Sequence, residues 1–141
     1  MTYVLIAVGG ATGSLVRYSL GKFISEKSNT AFPIGTFIIN ISGAILLGIV
    51  STIGVSNNMM LLLGDGFLGA YTTFGGLCKE TVNLMNQGYY YSAMSYIGFS
   101  TILGLAFAYF GVILAREVVS KFVLHQDDSD NVELEEAKEV D

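Results

Sequence analysis

From Gly64 to Gly76 the chain reads Gly-Asp-Gly-Phe-Leu-Gly-Ala-Tyr-Thr-Thr-Phe-Gly-Gly, with five glycines and two threonines inside an otherwise apolar run. A straight membrane helix has little use for so much glycine. A helix that breaks does, because backbone carbonyls freed at a break can hold a cation when protein surrounds them. Phe74 adjoins the expected break. Its ring has a negative face and a positive edge, so an edge turned toward a narrow path favours an anion. Taken alone, Phe74 reads more simply as a core or lipid contact. The chemistry on offer is the handling of ions.

The other apolar runs carry polar groups at helical spacing. Thr36 and Asn40 are four residues apart, and Gly43 continues their face. An Asn amide has two donors and an acceptor that lipid cannot satisfy, so Asn40 must meet another helix or a wet path. Tyr96 and Ser100 are again four apart, with Thr101 beside them and Gly104 extending the stripe. Such hydroxyls can donate to an anion stripped of water, or simply tie helices together. Gly9, Gly13, Arg17 and Gly21 share one face of the first run, and small residues there let helix backbones approach. Arg17 either serves a buried role or snorkels to the interface. Lys79 and Glu80 follow the glycine-rich run and mark either a mouth or a solvated boundary. Asp65 is the acid within it.

These residues need membrane helices to position them. The 141-residue chain is 52% apolar and 13% charged, with a mean hydropathy of +0.57. A soluble domain would be about a quarter charged. Eight of the twelve acids lie between Asp127 and Asp141, so the net charge of −5 describes a tail and not the body. A hydrocarbon core about 30 Å thick needs roughly 20 apolar helical residues to cross it. Four runs qualify, at about 3–23, 33–53, 59–85 and 90–115, with Pro33 suited to a first helical turn. The expected organisation is an all-α, four-span domain over 1–126 and a disordered acidic tail over 127–141. Both termini then share one side. Arg116 and Lys121 lie there and Lys22 and Lys27 opposite, a near balance that suits insertion in either orientation. No cleavable leader is expected ahead of the first run. The single cysteine, Cys78, excludes an internal disulfide and is expected as a buried, inert thiol. With a lone His125 outside the spans, no nucleophile–base pair and no basic patch, neither an enzyme nor a nucleic-acid binder is expected.

Three motifs in order, one on each of the first three spans, resemble the Fluc (CrcB) family of fluoride channels over about residues 3–116. They are Gly9-Gly10-x-x-Gly13-x-x-x-Arg17-Tyr18, Gly35-Thr36-x-x-x-Asn40-x-x-Gly43 and Gly66-x-x-Gly69-x-x-Thr72-Thr73-Phe74. The resemblance implies passive fluoride export across a bacterial cell membrane by an antiparallel dimer of four-helix subunits, each with a broken third helix. It also implies two fluoride paths and a central Na⁺. It places the carbonyls of Gly69 and Thr72 on the Na⁺. Asn40, Phe74, Tyr96, Ser100 and Thr36 would line the fluoride path, Glu80 would stand near one end of it, and Arg17 would draw anions into a vestibule. The chain departs from the family pattern where Ser-Thr-Phe usually follows Thr-Thr-Phe: it has Gly75, Gly76 and Leu77. A second fourth-span serine also appears as Gly104. These losses leave a homodimer and a heterodimer with a sister subunit both open. A small proton-coupled exporter is the rival reading, but it needs a carboxylate in the first span. Tyr3–Phe23 has none, and Asp65 is the only candidate elsewhere.

Overall fold

A computed structural model describes the backbone of residues 2–28, 30 and 32–139, and the side chains of these residues as far as 121. The order is α1 (Thr2–Lys27), α2 (Ile34–Thr52), α3 (Asn57–Met59), a π-helical stretch (Met60–Leu68), α4 (Gly69–Tyr71), α5 (Phe74–Asn86) and α6 (Tyr90–Glu139). Among the described residues there is no strand. Three helices are long and apolar enough to cross a membrane: α1, α2 and the Tyr90–Lys121 part of α6. The chain is therefore an all-helical, multi-pass membrane protein. The disordered tail expected over 127–141 falls outside the residues whose side chains are described.

The third apolar run is handled differently. α3, the π-helical stretch and α4 follow end to end, and then the backbone leaves the helical region at Thr72 (φ −77°, ψ 158°) and Thr73 (φ −149°, ψ 113°). Helix resumes at Phe74. Thr73 caps the new segment, its Oγ1 accepting from the Gly76 amide at 2.9 Å, which is the usual work of a threonine at this position. The neighbouring links turn on glycines where a side chain would be strained: Gly54 at φ 69° and Gly88 at φ 84°.

Packing is backbone against backbone. A methyl group at Gly9 would overlap the Leu62 carbonyl oxygen, and one at Gly13 the Phe67 carbonyl oxygen, so α1 lies directly on the π-helical stretch. The α2–α6 pair is built reciprocally. Gly48 faces the Ala108 carbonyl and Gly111 faces that of Ile45. Small residues are how membrane helices reach such distances, since lipid supplies no hydrophobic drive to press them together. The side-chain core is small. Ile39, Leu68 and Tyr71 form one cluster, and Leu84, Ala93 and Tyr96 form another, ringed by Phe32, Phe37 and Leu77. Cys78 is exposed, contrary to the expected buried thiol. The buried side of α5 runs through Leu77, Thr81 and Leu84, and one residue beyond Leu77 turns Cys78 about 100° away from it.

The glycine contacts lead to a stability prediction. Gly13→Ala, which puts a methyl against fixed backbone, should cost about 1–3 kcal/mol. Gly98→Ala, which points into open space, should shift stability by less than about 0.5 kcal/mol. Thermal unfolding of the purified variants in detergent measures both.

Candidate ion path

The interruption at Thr72–Thr73 leaves backbone groups that a helix would have paired. Asn40 on α2 takes them up from the side: its Oδ1 accepts from the Thr73 amide at 2.8 Å, and its Nδ2 donates to the Thr73 carbonyl at 3.2 Å. One amide side chain thus replaces two helical hydrogen bonds. Gly43, one turn along α2, makes the approach possible, because a side chain there would strike Thr72 and the Tyr71 ring. Below it, Ser42 Oγ and the Tyr71 hydroxyl pair at 2.9 Å. On the other flank Arg17 Nη1 reaches the Thr72 carbonyl at 3.4 Å. A cation there suits the C-terminal, negative end of the preceding helical segment. Arg17 thus points at the interruption itself and has not snorkelled away from it.

A second polar cluster joins three helices. Glu80 on α5 accepts from Thr36 Oγ1 on α2 and from the Tyr96 hydroxyl on α6, both at 2.6 Å and each on a different carboxyl oxygen. Tyr96 is fully buried, with the Phe32 ring set edge-on at a centroid distance of 5.3 Å. Ser100, one turn further along α6, is the contrasting case. Its Oγ is buried and has no hydrogen-bond partner among the described residues. Phe74 opens α5 with its ring 79% exposed.

Two grooves connect these groups. One, of about 290 Å³, is lined by Arg17, Lys22, Ser25, Thr36, Thr73 and Glu80. The other, of about 420 Å³, is lined by Asn40, Thr73, Phe74, Leu77, Ser100 and Gly104. Thr73 belongs to both, so the grooves adjoin at the interruption. The carbonyls of Gly69 and Thr72 lie at the end of α4, beside a third cavity. The amide that would close the next helical turn on Gly69, that of Thr73, is given to Asn40 instead. Among the described residues, no group of three or more His, Cys, Asp or Glu side chains could hold a metal.

A family model described as CrcB-like protein, Camphor Resistance (CrcB), matches residues 4–112. The chain belongs to the CrcB family. Relatives span nearly their whole length against it. A protein of Clostridium acetobutylicum named Fluoride-specific ion channel FluC 2 is 47% identical over 116 residues, covering 82% of this chain and 99% of its own. One of Acidobacterium capsulatum named Fluoride-specific ion channel FluC is 37% identical over 125 residues, 85% of this chain and all of its own. A Listeria monocytogenes protein named Fluoride-specific ion channel FluC 1 is 36% identical over 114 residues, 81% of this chain and 97% of its own.

Of the residues singled out in sequence, Thr36, Glu80 and Tyr96 form one cluster, while Asn40, Phe74 and Ser100 share one groove. Arg17 contacts the interruption, which Gly69 and Thr72 border. Thr73 stood in the third motif without a role of its own, yet it binds Asn40, caps α5 and joins the two grooves. A Thr three residues ahead of Gly76, after a stretch rich in helix-breaking glycine, was the available N-cap signal. The Glu80 cluster predicts that Tyr96→Phe and Thr36→Val each lower stability by about 1–3 kcal/mol. On a Glu80→Gln background each should cost less, with coupling of about 0.5–3 kcal/mol, measured by a double-mutant cycle of thermal unfolding.

Proposed function

We propose that this chain is a subunit of a fluoride-selective channel that lets fluoride leave the cytoplasm passively across a bacterial cell membrane, protecting the cell from its toxicity. The observation that carries the proposal is the pair of grooves sharing Thr73, one lined by Arg17, Thr36 and Glu80 and the other by Asn40, Phe74 and Ser100. The relatives, each named a fluoride-specific ion channel, support the same ion.

The physical need is simple. Neutral hydrogen fluoride crosses lipid, ionises in a less acidic cytoplasm and is trapped there as the anion. A passive path suffices for its removal, because an interior-negative potential drives the anion outward with about 2.3 kcal/mol per 100 mV. Arg17 and Lys22 raise the local anion concentration at one groove. The hydroxyl of Thr36, held by Glu80 on the first groove, can turn toward a passing anion, while the buried Tyr96 anchors Glu80. Ser100 offers a hydroxyl without a competing partner. Phe74, at the N-terminal and hence positive end of α5, can present its ring edge. Several weak stations of this kind let an ion shed part of its water and still leave.

The working unit in this proposal is an antiparallel dimer. Phe74 is largely exposed on a groove that one subunit leaves open, and a second subunit would close it. The carbonyls of Gly69 and Thr72 would hold a Na⁺ ion at the centre. Thr72 still has a lone pair for it beside the long contact to Arg17. Gly75, Gly76, Leu77 and Gly104 thin the path of polar and aromatic groups and favour a heterodimer with a fuller sister subunit. The numbered names FluC 1 and FluC 2 among the relatives fit paired subunits. Gly75 has open space around it, whereas a Cβ at Gly76 would come within 2.7 Å of the Thr73 methyl. Refilling position 76 therefore requires Thr73 to turn.

Fluoride-electrode efflux from liposomes, with chloride efflux beside it, tests the function. Fast fluoride release without chloride release is expected, from this chain alone or with a co-expressed sister subunit. Phe74→Ile should slow it by about tenfold, the worth of one aromatic-edge contact. Release no faster than from empty liposomes in both preparations would rule the channel out. If the subunit is silent alone, replacing Gly75, Gly76 and Leu77 by Ser, Thr and Phe should restore conduction to the homodimer.

A further inference from the structure

We propose that the outer face of α1 binds one anionic phospholipid, with its phosphate on Lys27 and an acyl chain in the apolar groove that leads away from it. This site lies apart from the ion path and does not depend on which ion the chain carries.

Leu15, Val16, Ser19, Leu20 and Phe23 line a groove of about 550 Å³ on α1. Leu15, Ser19, Phe23 and Lys27 are spaced four residues apart, so they form one inclined row that runs to the end of the helix. Leu15, Val16 and Phe23 are exposed, not covered by the other helices of the subunit. Leu20 turns inward against the Ile39 cluster and ties the groove to the core.

Its charged end distinguishes this groove from an ordinary lipid-facing surface. A lysine just past an apolar run ordinarily snorkels outward to water. Lys27 instead lies back along α1, with its Nζ 4.2 Å from the centroid of the Phe23 ring. The only ion pair among the described residues is Lys22 with Glu26, at 3.9 Å, so no carboxylate neutralises Lys27. Arg17 is turned to the Thr72 carbonyl and takes no part. The ring face answers some of the lysine's charge, and a phosphate at the edge of the hydrocarbon would answer the rest. One helical turn deeper than Phe23, about 5.4 Å, is Ser19. Thr12 and Ser14 give their hydroxyls to carbonyls of their own helix. Ser19 makes no such bond among the described residues, which leaves its hydroxyl to donate to an ester carbonyl of the same lipid. Leu15 and Val16, a further turn in, meet the acyl chain. A zwitterionic headgroup carries its own cation beside the phosphate and gains less from Lys27 than an anionic one does.

Quenching by brominated lipids tests this without any flux measurement. The chain has no tryptophan, so Leu15→Trp in the full-length protein places a single fluorophore in the groove, and Val16→Trp serves as a second reporter. Each would be reconstituted in mixed phosphatidylcholine and phosphatidylglycerol liposomes, with one lipid or the other brominated in its acyl chains. Phosphatidylglycerol is expected to quench as if enriched about fivefold over its share of the bilayer, the worth of one lysine beside an anionic headgroup. Lys27→Gln should remove the enrichment and Lys27→Arg should keep it. Lys121→Gln, at the far end of α6, should leave it unchanged. Equal quenching by the two lipids would overturn the proposal. So would an equal loss in Lys27→Gln and Lys121→Gln, which would mean general attraction to the protein's charge. Weak quenching by both lipids at both reporters would overturn it too, and would show that protein covers the groove.

Discussion

The clasp between Asn40 and the backbone of Thr73 is the constraint on which the rest of the structure depends. In hydrocarbon an unpaired N–H or C=O costs several kcal/mol, so a helix cannot simply stop inside a membrane. At Thr73 both backbone groups leave the helix, and both are recovered by one side chain on α2. With that pairing in place, α4 can end and α5 can begin after two intervening residues. Thr73 caps α5, the two grooves meet at its side chain, and the Gly69 carbonyl is released from its helical partner.

Holding Asn40 at hydrogen-bonding distance requires the helices to be closer than ordinary side chains permit. The glycine contacts supply this. Gly43 clears room for Thr72 and Tyr71, Gly9 and Gly13 bring α1 onto the π-helical stretch, and Gly48 with Gly111 joins α2 to α6. Because the contacts at Gly9, Gly13, Gly48 and Gly111 are made by backbone, they have few rotamers to exchange and little slack. Larger polar side chains at the flanks, Thr36, Glu80 and Tyr96, are therefore held in register across three helices.

One interruption also offers two opposite electrostatic ends within a few residues. The carbonyl end of α4 favours a cation, and Arg17 already leans on it. The amide end of α5 favours an anion, and there Phe74 is exposed. A single helix break thus sets a partial negative and a partial positive end within a few residues of each other.

The amino-acid order by itself determined that the chain is an all-helical membrane protein and that polar groups recur at helical spacing within its apolar runs. Mean hydropathy and the four- and three-residue spacing of Thr36, Asn40 and Gly43 are local properties, and local structure obeys them. The same was true of the glycines of the first run, though Gly104, which extends a stripe in sequence, meets only open space. Cys78 misled because an apolar run does not say which side of a helix is buried when lipid covers the other. What only the tertiary structure decided was pairing. Thr36 finds Glu80 across 44 residues, and Asn40 finds Thr73 across 33. The chemistry of an amide or a hydroxyl requires a partner but does not name one. That choice is made when close-packed backbones leave a single donor or acceptor within reach.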